Sequence, residues 1–394
     1  MNLLLIQKEV QNFIKENLNQ DLAKVILKGS PFQGVSIQEI AQQINGFHKS
    51  KNKLPLWCKT KNIFFPPSLN LEQSSSEATA KYKSELISNS RIADLTGGFG
   101  VDSYYFSSKL DNVYYCEINK DLYQIAGYNY QILPPNNGKI HFFNQDGIEF
   151  IESSKHHFDW LYLDPARRDD AGKKVINFEQ YTPNILKHFD LFFEKADHML
   201  IKTSPLLDLT KGIEALKFFV QEIHVVAVDN EVKELLWILK NKENKNPKIT
   251  CVNIKEEEND VFYSSQEEEK NTSVDFSEPE QYLYEPNSSI LKAGFFKAIT
   301  EKYQLQKIAE HSHLYTSEKK IDFPGRVFKV LQNLTLDKKS LALLPQKANV
   351  STRNFPLAVV AIKKKYKIKD GGKEYLFFTQ NQQKQKIVIH CQKI

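Results

Sequence analysis

The segment that most restricts the fold is Arg91-Ile-Ala-Asp-Leu-Thr-Gly-Gly-Phe-Gly100, a short run that ends in an aspartate and opens onto three glycines within four residues. Such a run reads as a buried strand leading into a tight turn. Glycines at 98 and 100 let the backbone enter conformations that other residues resist and approach a ligand closely. The helix expected next offers unpaired N–H groups at its start. The pattern Asp94-x-x-x-Gly98-x-Gly100 thus predicts a ligand-binding turn at the carboxyl end of a first strand.

Beyond the turn, the chain repeats a strand–helix rhythm. Strands are predicted at Arg91–Leu95, Asn112–Glu117, Ile140–Gln145, Phe158–Leu163, His198–Lys202 and Ile223–Val228, with helices around 101–109, 120–132, 182–195 and 208–220. Alternation of this kind gives a parallel sheet covered on both faces. The end differs: Ile223–Val228 and Leu235–Leu239 are separated only by Asp229–Glu234, too short for a helix, so these two strands must be antiparallel. The expected fold class is α/β, a Rossmann-like seven-stranded sheet with an antiparallel last strand. A helical N-terminal region and an α+β C-terminal domain flank it.

Polar residues at strand ends supply the candidate chemistry. Glu117 lies 20 residues after Gly97, where a carboxylate reaches a ribose diol. Asp146, in Gln-Asp-Gly147, is placed to accept from an adenine amino group; it also suits the cap of a helix over 148–154. A dinucleotide site shares the ribose acid but requires G-x-G-x-x-G, which Gly-Gly-Phe-Gly-Val-Asp does not supply. The turn, the strand-end acid and the antiparallel finish together point to S-adenosylmethionine as the cofactor.

The fourth strand ends in Asp159-Trp-Leu-Tyr-Leu-Asp164-Pro-Ala-Arg-Arg168. Its apolar run predicts a central strand, and Pro165 forces the chain out of the sheet. Asp164 then sits at the edge where ligands bind. The segment resembles the Asp/Asn-Pro-Pro-aromatic motif of amino-group methyltransferases, but Ala166 replaces the second proline and Arg167 the aromatic, which weighs against an amino target. Asp164, Pro165 and Arg167 are the catalytic candidates. Arg167 is suited to stack on a base or hold a phosphate; the competing reading pairs Arg167 and Arg168 with Asp169 and Asp170 on the surface. Methyl transfer from a sulfonium needs alignment more than acid–base chemistry, so no triad is expected. No cysteine lies in this loop, which argues against covalent attack on a pyrimidine carbon.

The 394 residues suggest two or three domains. Residues 1–72 read as a helical N-terminal region with a connecting loop at 57–72, broken by Pro66-Pro67. Ser74-Ser-Ser-Glu77 reads as a capping box that starts the helix before the glycine turn. Residues 73–255 form the sheet domain and the acidic stretch 256–280 an exposed loop or linker. Later strand-like runs are Leu357–Ile362, Glu374–Thr379 and Lys386–His390. No apolar run is long enough for a membrane span, the start lacks the order of a signal peptide, and the expected location is the cytoplasm. Cys58, Cys116, Cys251 and Cys391 show no metal-ligand spacing, so free thiols and no metal are expected. Residues 325–394 carry 15 Lys/Arg against 3 Asp/Glu, while the preceding residues sum to a net negative charge. A basic C-terminal segment suggests a polyanionic partner; a solvated lysine-rich surface is the alternative.

Several segments together resemble one family. Gln73-Ser-Ser-Ser-Glu-Ala-Thr-Ala-Lys-Tyr-Lys83, Asp94–Asp102, Tyr162–Arg168, Tyr284-Glu-Pro-Asn-Ser-Ser-Ile-Leu-Lys-Ala-Gly294 and Asn354-Phe-Pro-Leu357 onward to Lys365 are similar to the class I S-adenosylmethionine-dependent methyltransferases with a THUMP-like C-terminal domain, common in Bacteroidetes. The resemblance covers roughly residues 60–394. It implies a ferredoxin-like piece at 281–320 and a basic THUMP-like domain at 321–394. It also implies that Glu77, Ala78 and Thr79 line the cofactor pocket beside Asp94, Thr96, Gly98, Gly100, Glu117 and Asp146. THUMP domains are associated with RNA, and the basic segment agrees. Lys363–Lys365, Lys367, Lys369 and Lys373, interleaved with Tyr366 and Tyr375, are the expected phosphate contacts. Three readings are compatible with these features: methylation of structured tRNA or rRNA, methylation of a protein or small molecule with the basic segment a mere surface, or holding of the cofactor without catalysis, against which the intact Asp164-Pro165 speaks.

Overall fold

The computed structural model describes residues 1–88, 90–167 and 178–394. The chain divides into two compact units, residues 1–221 with 236–244, and 222–235 with 245–394.

The N-terminal unit begins with helices Lys8–Asn17, Leu22–Lys28, Ile37–Ser50, Pro55–Lys59 and Ser68–Gln73. The stretch 57–72, expected as loop, thus carries helix at both ends. Pro55 begins one helix at its first position and Pro67 caps the other, positions where a missing N–H costs nothing. Ser36 and Glu39 form a reciprocal capping box on the third helix. Val10, Ile14, Ile40, Ile44 and Trp57 join one apolar cluster with Phe99, Tyr104, Ile125 and Leu133. The N-terminal helices therefore share a core with the helices after the glycine turn.

The strands of the large sheet are β1 (Arg91–Asp94), β2 (Asn112–Cys116), β3 (Lys139–Phe143) and β4 (Phe158–Leu163). A two-residue pair, β5 (Ala166–Arg167) and β6 (Tyr181–Thr182), stands apart. The sheet resumes with β7 (Ala196–Thr203), β8 (Val220–Val228), β9 (Glu231–Leu239), β10 (Lys248–Ile254) and β11 (Asp260–Ser264). Their order is β11-β10-β8-β9-β7-β4-β1-β2-β3. The central pairs β2–β3, β1–β2, β1–β4 and β4–β7 are all parallel. Trp160 to Leu163 are buried, as a strand covered on both faces requires. β8 and β9 are joined by Asp229-Asn230, both with positive φ (49° and 65°), the geometry of a two-residue hairpin turn. The expected α/β sheet with an antiparallel finish is present.

Two corrections concern its edge. Seven strands were expected and nine are found: β10 pairs parallel with β8, and β11 pairs antiparallel with β10. The acidic stretch 256–280 is thus no plain linker. It holds β11 and a helix, Gln266–Asn271, with a capping box between Ser265 and Glu268. Glu269 accepts from the backbone N–H groups of Phe296, Lys297 and Ala298, at the start of helix Ala298–Tyr303. Its charge completes a helix end.

The C-terminal unit also contains a seven-stranded sheet. Its strands are β12 (Tyr282–Pro286), β13 (Gln306–Lys307), β14 (Tyr315–Ser317), β15 (Gly325–Thr335), β16 (Asn349–Thr352), β17 (Glu374–Gln380) and β18 (Lys386–Lys393). The order is β13-β14-β12-β15-β18-β17-β16. β12 pairs with β15 along Tyr282–Pro286, so one sheet runs across the expected domain border at 320. The predicted strand Leu357–Ile362 is instead part of a helix, Val359–Tyr366. There Ile362 is buried while Val360 is 79% exposed, so the β-branched run covers the core with one face only and tertiary packing overrides its strand propensity.

Candidate active site

The site is built on the carboxyl ends of β1, β2, β4 and β7, all in the N-terminal unit. Asp94 ends β1 and is buried; its Oδ1 accepts from Thr96 N (3.1 Å) and its Oδ2 from Ser103 Oγ (2.6 Å). Burial, with Asp102 and Asp164 adding their charge, pushes the Asp94 carboxyl up to about 7. Gly98 and Gly100 have φ of +55° and +81°, the left-handed region where a side chain is strained. Gly97, not singled out in the sequence, answers to a different constraint: a Cβ there would meet the Tyr115 ring, whose hydroxyl donates to Gly98 O at 2.7 Å.

Glu117 follows β2 and already holds the turn. Its Oε2 accepts from Gly98 N (2.8 Å) and its Oε1 from Asn119 N (2.7 Å). Asp146 caps helix Gly147–Ser153 through Oδ1, which accepts from Ile148 N (2.7 Å) and Glu149 N (3.2 Å). No contact occupies its Oδ2 among the described residues.

At the end of β4, Asp164 N donates to Thr96 Oγ1 at 2.7 Å, which ties the glycine turn to the Asp-Pro corner. Asp164 Oδ2 receives Lys202 Nζ at 2.5 Å; the Lys202 side chain is 12% exposed. Pro165 is buried and leads the chain out of the sheet into β5, where Arg167 pairs by backbone with Tyr181. The Arg167 side chain and residues Arg168, Asp169 and Asp170 lie outside the described residues, as does the suggested surface pairing among them.

A second ion pair lies buried beside this edge. Lys83, fully buried, sits 3.2 Å from Asp102 Oδ1 and donates to Ser75 Oγ at 3.0 Å. Asp102 Oδ2 accepts from Ser75 Oγ (2.7 Å) and Tyr162 OH (2.8 Å). Burial raises the Asp102 carboxyl, but Lys83 and then Lys202, with the Ser75 and Tyr162 hydrogen bonds, hold it below its ordinary value.

The pre-turn helix, Glu77–Leu86, starts from Ser76 and not from Ser74. Ser76 Oγ accepts from Thr79 N, and the Thr79 hydroxyl returns to Ser76 O, so Thr79 serves the helix start. Glu77 accepts from Leu56 N (2.5 Å) and Tyr105 OH (3.1 Å), internal contacts that bind the N-terminal helices to the helix after the glycine turn. The structure therefore brings Asp94, Thr96, Gly98, Gly100, Glu117 and Asp164 together and turns the groups of Glu77 and Thr79 to internal partners. Lys202, Lys83 and Asp102 are the residues that sequence reading missed. Lys202 carried a signal: it follows the apolar run of β7 as Asp164 follows that of β4, and Leu163 pairs with Ile201 in the parallel register.

Elsewhere, a cleft of about 910 Å³ in the C-terminal unit is lined by Glu267, Glu268, Asp275 and Glu301 among others and contains none of these residues. Among the described residues no cluster of metal-ligating side chains is found, and no helix is long and apolar enough to cross a membrane.

A sheet that is parallel through its centre and finishes with antiparallel strands, with polar groups gathered at its carboxyl edge, defines a Rossmann-like methyltransferase fold. Comparison with known proteins agrees. A crystal structure of a protein from Porphyromonas gingivalis W83, assigned as a methyltransferase, superimposes with a TM-score of 0.88 at 31% identity, covering 98% of this chain and 97% of that one. Residues 282–324 match a ferredoxin-like domain family and residues 325–393 a THUMP domain-like family. The chain belongs to the methyltransferase family of the Porphyromonas protein, with ferredoxin-like and THUMP-like domains at its C-terminus. A protein of Mycoplasma mobile named as an uncharacterized RNA methyltransferase is 30% identical over 139 residues, which span 32% of this chain and 38% of that relative.

Proposed function

We propose that the chain transfers a methyl group from S-adenosylmethionine to structured RNA, with Asp164 at the reacting edge. The observation that carries this reading is the join between the turn and the corner: Asp164 is fixed at once by Thr96 of the glycine turn and by Lys202 of β7. A cofactor held at the turn therefore lies beside a positioned carboxylate.

The residues fit that cofactor. The edge is rich in acceptors, from Glu117, Asp146 and Asp164, and the glycine turn allows close backbone approach. A sulfonium, an ammonium, a ribose diol and an adenine amine are all cations or donors, so an acid-rich edge suits them. A dinucleotide pyrophosphate would need donors and cations in the same place. In this reading Asp94 and Glu117 hold the turn, Glu117 would accept from the ribose and Asp146 would accept from the adenine amine. Bound there, the cofactor supplies an electrophilic methyl group. Asp164 accepts a hydrogen bond from the nucleophile and aligns it, and Lys202 keeps that carboxylate in one orientation. Pro165 makes the corner that presents Asp164.

RNA is favoured as substrate by the THUMP-like match, by the excess of basic residues after 325 and by the name of the Mycoplasma relative. Lys364, Lys365, Lys367, Lys369 and Lys373 are exposed, as phosphate contacts require. Of the interleaved aromatics, Tyr366 stacks on Phe378 and Tyr375 packs on Phe328.

The test is transfer of labelled methyl groups by the purified chain to total bacterial RNA, followed by mass spectrometry of the nucleosides. Label in a single modified nucleoside is expected. Label that survives RNase treatment in protein or small molecules would overturn the RNA substrate. Asp164→Ala should lose at least about 100-fold in rate while cofactor affinity changes little; transfer at the wild-type rate would remove Asp164 from the mechanism.

A further inference from the structure

The C-terminal unit holds an arrangement of charges that methyl transfer does not use. Glu285, on β12, is 2% exposed and receives two arginines. Arg326 of β15 donates through Nε to Oε2 at 2.6 Å, with Nη2 against the same oxygen. Arg353, just past β16, donates through Nη2 to Oε1 at 2.7 Å. Both arginine side chains remain 34% exposed. One buried carboxylate thus fixes two guanidinium groups by one edge each and neutralises only one of their charges. Each guanidinium has five N–H donors; Arg353 spends one more on Thr352 O at 3.4 Å, which still leaves Nη donors on both arginines for another acceptor. Arg353 Nε is buried and has no hydrogen-bond partner.

Basic groups gather around His313, close to the pair. His313 stacks on Phe296 with ring centroids 3.7 Å apart, and its buried Nδ1 also lacks a partner. Burial, and then the charges of Lys307, Arg353 and His311, push His313 down to about 4; every charged group acting on it is basic. Lys307 is buried and donates to the Glu310 carbonyl, with the Glu269 and Glu310 carboxylates in its field. Glu269 in turn is held by three backbone N–H groups.

We propose that Arg326 and Arg353, braced by Glu285, form a clamp for a backbone phosphate of the RNA substrate. The inference rests on the RNA reading above and gives it a defined contact. A planar guanidinium matches a phosphate with two parallel hydrogen bonds, which a lysine cannot do. The brace also removes much of the ordering cost that the exposed lysines 364–373 would meet on binding. A polymer fits better than a lone carboxylate because the basic excess extends over the whole THUMP-like segment.

Removing one arginine alone would leave Glu285 buried and half-paired, so the informative variant is E285Q/R353Q, which conserves net charge; R353K is its companion. Affinity of the full chain for unfractionated tRNA and for ribosomal RNA is measured across a salt series, with thermal unfolding and S-adenosylmethionine binding as controls of folding. For E285Q/R353Q, in which the local charge balance is unchanged, we expect roughly tenfold weaker RNA binding at every salt concentration, from the loss of the fork. For R353K, which keeps the charge and loses the fork, an intermediate loss of about threefold is expected. If wild type binds either RNA and folded E285Q/R353Q binds it equally well, the clamp is wrong and the RNA reading stands. If wild type binds neither tRNA nor ribosomal RNA, the RNA reading fails and the clamp with it.

Discussion

The two units handle buried charge in opposite ways. In the N-terminal unit lysines serve carboxylates: Lys83 holds Asp102 within the core, and Lys202 holds Asp164 at the sheet edge. In the C-terminal unit the carboxylate is the servant: Glu285, almost wholly buried, holds Arg326 and Arg353 outward. The same ion-pair chemistry leaves an acceptor-rich edge in one unit and a donor-rich patch in the other. That difference sorts ligands by charge. The first suits a sulfonium, a ribose diol and amines; the second suits phosphate. Buried pairs add little net stability against an apolar replacement, so their presence is better explained by what they position.

The comparison is broken most sharply at Lys83. Removing its ammonium in Lys83→Met strands Asp102 in the core, next to Asp94. We expect a loss of about 3–5 kcal/mol in denaturant unfolding, and recovery of most of it in K83M/D102N, where no buried charge is left alone. A K83M protein as stable as wild type would mean that the lysine does not serve the acid.

Lys202 tests the same relation by function. Lys202→Met should leave the fold and cofactor affinity nearly intact but lower the transfer rate roughly 10- to 100-fold, the range expected when a charged hydrogen bond is removed. The loss should fall on kcat and not on KM, and K202R should restore part of it, since a guanidinium still reaches Asp164. Equal loss in K202R and K202M, with KM for RNA raised in both, would instead make Lys202 a substrate contact.

The legibility of these groups in the sequence depends on the range of their interactions. Asp94, Glu117 and Asp164 are legible because each follows an apolar strand, and the edge of a parallel sheet is where ligands meet the fold. Lys202 obeys the same rule, but a lysine at a strand end is so common on surfaces that its position alone does not mark it. The Lys83–Asp102 pair joins two helices, and the Arg326–Glu285–Arg353 group joins three distant segments. Neither has a local spacing that marks it. β11 is hidden by its acidic flanks: in Asp260-Val-Phe-Tyr-Ser264 only Phe262 and Ser264 are buried, a pattern typical of an edge strand. The helix at 359–366 reads as a strand because its first residues are apolar and β-branched, and only its packing shows that a single face is buried.

Asp94 sharpens the contrast, because this buried carboxylate has hydrogen-bond donors but no salt-bridge partner among the described residues. Burial, with Asp102 and Asp164 nearby, moves it to about 7 from an ordinary value of 3.8, so the folded state binds its proton more tightly than the unfolded chain. The stability contributed by that proton is complete below about pH 4 and is lost as pH rises through about 7. Wild type should therefore be less stable at pH 8.5 than at pH 5.5 by on the order of 1–2 kcal/mol from this group alone. Asp94→Asn has no charge to bury and can keep contacts with Ser103 and Thr96. Its melting temperature relative to wild type should accordingly rise between those two pH values. A constant difference would show that Asp94 is ionised throughout, held by a cation as Asp102 and Asp164 are.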